Sequence, residues 1–317
     1  MSKVTMIRYI ADKIINAETQ KEKQEILERY NSDTLFKRVL YYTYNPMIVF
    51  GMDNYNPKLR EKGVEDGMGI SKFMHIPEDI YQNKLDEDEA RFACNLVFSH
   101  INRDEAELFL SMLKKENTLD LEVSTINAVW PDLIPDYPVQ YPNEYSEENK
   151  KLIKFPAVVQ PCLDGKRVNV VVRNNSVEFN DSHGNQIPDL EKYGSEFSTL
   201  AQNNNTMFDG IYIEGDEIPF TIWDVIRYDG FVKGSDNRLG YNWRFNGFEH
   251  MMMLAHEHNP SPCYKGIMSK LVNTWEEIET AQQEYPTTLI VKSLESDWKN
   301  GTNELTMLVP FNNQDSS

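Results

Sequence analysis

Apolar residues recur every three to four positions through the first part of the chain. In "VTMIRYIADKIINAE" they fall at Val4, Ile7, Ile10, Ile14 and Ile15, the spacing of one helix face. "KQEILERY" and "DTLFKRVLYYTY" continue it, with Asp33 placed to cap the second run. After a glycine- and proline-bearing stretch at 51–69, "DEDEARFACNLVFSHI" and "RDEAELFLSMLKKE" resume the period. The acidic run at 86–89 reads as a first helical turn, where carboxylates meet the positive end of the helix dipole, rather than as a metal site.

The pattern then changes. "WPDLIPDYPVQYPNEYSEENKK" carries four prolines and several acids, and such composition marks a connection. From Ile153 the apolar residues gather in short runs rich in β-branched and aromatic residues: "AVVQPC", "RVNVVV", "DGIYIEGDEI", "PFTIWDVI" and "TTLIVKSL". Helical patterns at 242–257 and 264–284 interrupt them. The expectation is an all-α domain over 1–140, a linker over 141–152, and an α+β domain with a mainly antiparallel sheet over 153–317. The tail "NNQDSS" is expected to fray.

Charge narrows the function classes. Residues 1–154 hold 20 basic and 27 acidic side chains, and residues 155–317 hold 12 and 23, for a net charge of −18. Nucleic-acid binders usually show a basic footprint, so the second part is poorly suited to gripping phosphates. Three scattered cysteines, Cys94, Cys162 and Cys263, form neither a disulfide framework nor a metal-ligand spacing. His256 and His258 read as a solvated helix end. No membrane-length apolar run is present, and the start does not have the form of a signal peptide, so a cytoplasmic protein without a membrane partner is expected.

The chemistry-bearing stretch is "FPAVVQPCLDGKRVNVVV", a strand, a turn with Asp164, Gly165, Lys166 and Arg167, and a second strand. With lysine at 162 the turn would read K-x-D-G-x-R, the motif of enzymes that attach a nucleotide to their own lysine. An Asp-Gly turn is also an ordinary hairpin device. Further stretches lie in order across both domains: "KQEILERYNSDTLFKRVLYYTY", "INAVWPDLIP", "IWDV", "RLGYNWRF" and "LIVKSLESDWKNG". Together they resemble the ATP-dependent DNA ligases of T-even-type bacteriophages, over nearly the whole chain. The resemblance implies a helical DNA-binding domain followed by a nucleotidyltransferase domain that uses ATP and Mg2+. In that family an OB-fold domain follows where this sequence stops.

Measured against the resemblance, the chain departs at most positions that carry charge. Cys162 replaces the nucleophilic lysine, and its sulfur lies roughly 3–4 Å nearer the backbone than a lysine nitrogen would. Asp164, Gly165 and Arg167 remain as motif remnants. The S-R-x-G motif becomes Ser182-His183-Gly184 within "DSHGN". For D-G-E, two registers are open: "FDGIYI" puts Ile211 at the glutamate position, and "IEGDEI" puts Asp216 there. Asp209, Glu214, Asp216 and Glu217 read as an exposed acidic hairpin ahead of a cation site. Phe220 and Trp223 are the candidates for packing near an adenine, with strand core as the plainer reading. In "TTLIVK" Thr287 replaces the metal-binding glutamate while Lys292 persists, and Leu308 and Pro310 fill the register of two phosphate-binding lysines.

These losses predict a catalytically inactive, ligase-derived protein of a virus, with no cofactor expected. It would act by weakly binding nicked or double-stranded DNA, or a viral protein partner in DNA metabolism. In the helical part, Asp120 and Glu122 within "NTLDLEVS" put negative charge where phosphate would lie, and Lys114 and Lys115 could offset it. Two alternatives stay open: an active nucleotidyltransferase with an altered nucleophile at Cys162, and a structural subunit that binds no DNA.

Overall fold

The computed structural model describes residues 5–52, 55–60, 68–82, 84–173, 176–202, 204–258 and 262–311. The tail 312–317 and most of the stretch 61–69 lie outside them. The chain divides into two compact units, 1–136 and 137–317.

The first unit is helical: α1 (Met6–Ile15), α2 (Gln20–Arg29), α3 (Thr34–Tyr44), α4 (His75–Tyr81), α5 (Glu87–His100), α6 (Arg103–Leu113) and α7 (Val123–Val129). Side chains set where these helices start. Thr19 and Glu22 form a reciprocal capping box at α2, Asp33 accepts from Phe36 N at α3, and Asp86 with Glu89 forms a second box at α5. Each satisfies amide N–H groups that a helix start leaves without partners. The 86–89 acids are thus a helix start. The spaced apolar faces converge on one core: Ile7, Ile10 and Ile14 pack with Phe36, Leu40, Phe98 and Phe109.

The second unit is α+β and mainly antiparallel. In chain order it runs β1 (Gln140–Asn143), α8 (Glu147–Lys150), β2 (Ala157–Pro161), β3 (Lys166–Arg173), β4 (Ser176–Asn180), α9 (Gly194–Ala201), β5 (Thr206–Tyr212), β6 (Phe220–Arg227), α10 (Tyr228–Val232), β7 (Ser235–Asp236), α11 (Tyr241–His258), β8 (Tyr264–Gly266), β9 (Lys270–Val272), α12 (Trp275–Glu284), β10 (Leu289–Ser293), β11 (Trp298–Lys299) and β12 (Gly301–Val309). One sheet has the order β1-β12-β10-β2-β9, another β4-β3-β5-β6-β8, and β11 pairs with β7.

Two segments differ from expectation. The stretch expected as a linker contributes β1, which pairs parallel with β12, and the short helix α8. The pattern at 264–284 is helical only from Trp275, because Thr274 caps α12 there, and residues 264–266 and 270–272 are strands instead.

Strand alternation decides what faces where. In the first sheet Val159, Leu289, Val291, Met307 and Val309 join Ile278 and Ala281 of α12 in a core. Their neighbours in register, Gln160, Ile290, Lys292, Thr306 and Leu308, alternate with them along the strands. In the second sheet Val168, Val170 and Val172 pack with Phe179, Phe197, Phe208 and Phe220. No helix among the described residues is long and apolar enough to cross a membrane.

Candidate functional site

The hairpin from β2 to β3 brings the nucleophile position to an exposed edge. Cys162 N donates to Thr288 O at 2.8 Å, which carries the β2–β10 ladder one step past the strand. Thr287 Oγ1 donates to Cys162 O at 3.3 Å, so the hydroxyl at the expected metal-ligand position is engaged with backbone. The three cysteines are free; Cys162 is exposed, and Cys94 and Cys263 are buried. Partial burial, with the Asp164 carboxylate close by, pushes the Cys162 thiol up, away from the nucleophilic thiolate. Gly165 is needed for packing, since a Cβ there would lie 2.9 Å from Ile211 Cδ1. Ile211, the residue in the D-G-E glutamate register, is therefore an apolar brace under the turn.

Deeper between the sheets, charge is retained and paired. Arg167 Nε donates to Asp209 Oδ1 at 3.0 Å, and its Nη2 donates to Asp209 Oδ2 at 2.6 Å and to Gln140 O at 3.0 Å. Asn169 Nδ2 donates to the same carboxylate at 2.9 Å. The Arg167 guanidinium also lies 5.5 Å from the Tyr141 ring and 5.6 Å from the Trp223 ring, within the range of cation–π attraction. Asp209 is thus buried and fully engaged, contrary to its reading as part of an exposed hairpin; Glu214, Asp216 and Glu217 are the exposed acids of that turn. Among the described residues, no group of three or more His, Cys, Asp or Glu could hold a metal.

A second network centres on α11. Arg244 Nε and Nη2 donate to Asp224 at 2.9 and 3.1 Å, and its Nη1 donates to Leu239 O and Ser296 O. Tyr241 is fully buried; its hydroxyl donates to Trp223 O at 3.0 Å and accepts from Gln160 Nε2 at 2.7 Å. Lys292 Nζ sits 4.7 Å from the Tyr241 ring centre and has no oxygen partner among the described residues. Burial lowers it to about 8, against the pull of Asp224 and Asp209.

The structure therefore brings Arg167, Trp223 and Lys292 together, while Phe220 stands apart. Phe220 is fully buried in the aromatic core, 5.1 Å from Phe197 and 5.2 Å from Tyr193. Leu308 pairs with Ile290 on β10, and Pro310 is exposed beyond β12. In "DSHGN", Asp181 Oδ1 accepts from His183 N and Asn185 N, a self-contained turn.

In the helical unit the two lysines part. Lys114 stays near the surface, 3.7 Å from Glu116. Lys115 has φ +59°, and its Nζ turns inward to donate to Tyr42 O at 2.9 Å and Asn45 O at 2.6 Å, capping the carboxyl end of α3. Burial lowers it to about 7. Its expected role facing a phosphate does not match this position. The Asp120 carboxylate forms an ion pair with Lys23 Nζ at 2.7 Å.

Sequence reasoning passed over Gln140, Tyr141, Gln160, Asp224, Tyr241 and Arg244. A signal existed for some: Asp224 in "FTIWDVI" and Gln160 in "AVVQP" are polar residues inside β-runs, and such residues are paired when buried.

A helical unit followed by an α+β unit of mainly antiparallel sheets is the fold class that the sequence led us to expect. The chain is a divergent relative of the phage DNA ligases. It is 28% identical to the DNA ligases of Enterobacteria phages T4 and T6 over 221 residues, 67% of this chain and 45% of theirs. The match thus spans less than half the length of those curated relatives. No family model matches. Among solved structures, "Pmar-Lig_PreS3" is similar at TM-score 0.49 and 16% identity, covering 96% of this chain and 78% of that one. The ATP-dependent DNA ligase from bacteriophage T7 in complex with ATP is similar at TM-score 0.47 and 17% identity, covering 55% and 68%. These findings overturn the expectation of no cofactor: the related proteins are DNA ligases, and the T7 ligase is ATP-dependent and in complex with ATP.

Proposed function

We propose that this chain is a ligase-like pseudoenzyme: it has lost self-adenylylation and acts in DNA metabolism by binding DNA or a protein partner. The observation that carries this reading is residue 162. A thiol with a raised pKa and a short reach stands where the chemistry requires an uncharged amine at the α-phosphate, and a displacement of about 1 Å can already cost a hundredfold. Thr287, its hydroxyl tied to Cys162 O, and the apolar Leu308 support the same conclusion. ATP is the cofactor to test, and it fits one feature of the seam between the sheets: Lys292 Nζ is a buried cation without an oxygen partner among the described residues. Arg167, Trp223 and Lys292 would hold the nucleotide, without a covalent step.

The test is incubation with α-labelled ATP and magnesium, followed by denaturation. The expected result is no label on the chain. A stable adduct on Cys162 would overturn this reading in favour of an active nucleotidyltransferase with an altered nucleophile.

DNA binding is placed on the helical unit, since residues 155–317 hold 12 basic against 23 acidic side chains. We expect weak, steeply salt-dependent binding of nicked duplex. Lys114→Gln should reduce the slope of log affinity against log salt by about 0.9 if Lys114 meets one phosphate. If no duplex is shifted even at low salt, the protein-partner version takes its place. The setting would be the cytoplasm of a phage-infected cell.

A further inference from the structure

A cavity of about 460 Å3 is lined by residues that include Asn204, Arg227, Tyr228, Trp243, Gly247 and Met251. Its volume is in the range of small-molecule sites. Neither Cys162 nor Thr287 lines it.

Two of its features are unusual for ordinary surface. Trp243, in the first turn of α11, is 68% exposed. Arg227 is built in rather than free. Its Nε and Nη2 grip both oxygens of Asp236, which is buried. Gly230 makes that possible, because a Cβ there would lie 2.6 Å from Asp236 Cβ. The remaining Arg227 N–H groups, the whole Nη1 amine among them, have no partner among the described residues. A guanidinium held rigid on one edge and open on the other is a preorganised receptor for an anion's oxygens. Two arginines, Arg227 and Arg244, line the cavity with two carboxylates, Asp229 and Asp236, within a half of the chain that is otherwise acidic.

We propose that this cavity binds a nucleoside monophosphate, its base stacked on Trp243 and its phosphate on the outward N–H groups of Arg227. An aromatic wall suits any base, because each offers a flat face. A phosphate oxygen set can take several N–H donors at once. The nucleotide can be free or the phosphorylated end of a strand.

The test is calorimetric titration of the full chain with AMP, and in a second arm with a 5′-phosphorylated single-stranded pentamer. Binding in either arm is expected and identifies the source. Trp243→Ala should weaken it at least tenfold, within what stacking on an aromatic contributes. Gly247→Leu should do the same by filling the cavity, at a position where nothing lies within 4 Å of a Cβ. The variants are compared in a Lys292→Met background, which removes the seam's cation, so that the seam does not carry the signal. Absence of binding in both arms overturns the proposal. So does unchanged binding in the cavity variants.

Discussion

The inner seam and the rim of the same site have diverged differently. Inside, Arg167 with Asp209 and Arg244 with Asp224 form charge pairs with bonds of 2.6–3.1 Å, each carboxylate buried. At the rim, Cys162 is exposed, Thr287 bonds only backbone, and Leu308 is half-buried against Ile290. The physical difference is what removal costs. Deleting one member of a buried pair strands its partner's charge in a poor solvent. Replacing a rim group leaves water to take over. Remnants of a catalytic motif in the seam are therefore held by stability whether or not they still serve chemistry, and the rim is the better witness to function.

The comparison can be broken most sharply at Asp224. Asp224→Ala leaves the Arg244 guanidinium buried beside Leu239 O and Ser296 O without its counter-ion. The expected loss is about 3–5 kcal/mol, read from urea unfolding of the full chain. A loss under about 1 kcal/mol would show that the seam is as replaceable as the rim.

Lys292 gives the next largest effect, through pH. Its folded pKa, about 8, lies below the ordinary lysine value of 10.5, so between these values the unfolded chain binds more protons and stability rises with pH. From pH 7 to 9.5 Lys292 should contribute about 2 kcal/mol of this gain, and Lys292→Met should reduce the measured rise by that amount, leaving the share of the buried Lys115. Above pH 10 the buried Tyr241 hydroxyl, held well above its ordinary range by burial, works in the opposite direction, so the window ends there. Equal slopes in the two proteins would place Lys292 in water.

Rim substitutions should have the smallest effect on stability. Cys162→Lys and Leu308→Lys are each expected to change it by less than about 0.5 kcal/mol. Cys162→Lys alone should not restore nick sealing, because each missing electrostatic group is worth about a hundredfold or more. Sealing by that single variant would mean that position 162 is an isolated change.

Much of the fold was legible because its determinants are local. The spacing of Ile7, Ile10 and Ile14 and the caps at Asp33 and Asp86 act within one turn. What escaped depends on residues far apart in sequence. The inward turn of Lys115 needs the carbonyls of Tyr42 and Asn45. The strand at 140–143 exists only because Gly301–Met307 lies beside it. Arg167, Trp223 and Lys292, singled out from the motif order, lie near one another in the fold. Phe220 was misplaced because alternation along β6 separates it from Trp223: one faces the aromatic core and the other Arg167.

The pairing of β1 with β12 also governs when the site can exist. Gln140 is held by Lys299 N and Asn303 Nδ2, and its own carbonyl receives Arg167. The first strand of the second unit thus has no partner until the last strand is made. Such long-range closure is slow relative to local structure. During synthesis the hairpins between β3 and β6, with the Arg167–Asp209 pair, can assemble while the chain is still growing, but the bond from Arg167 to the Gln140 carbonyl must wait until residues 301–307 have left the ribosome. This edge of the seam is the last part of the unit to form, and a nascent chain stalled before Gly301 would display Tyr141 unclamped.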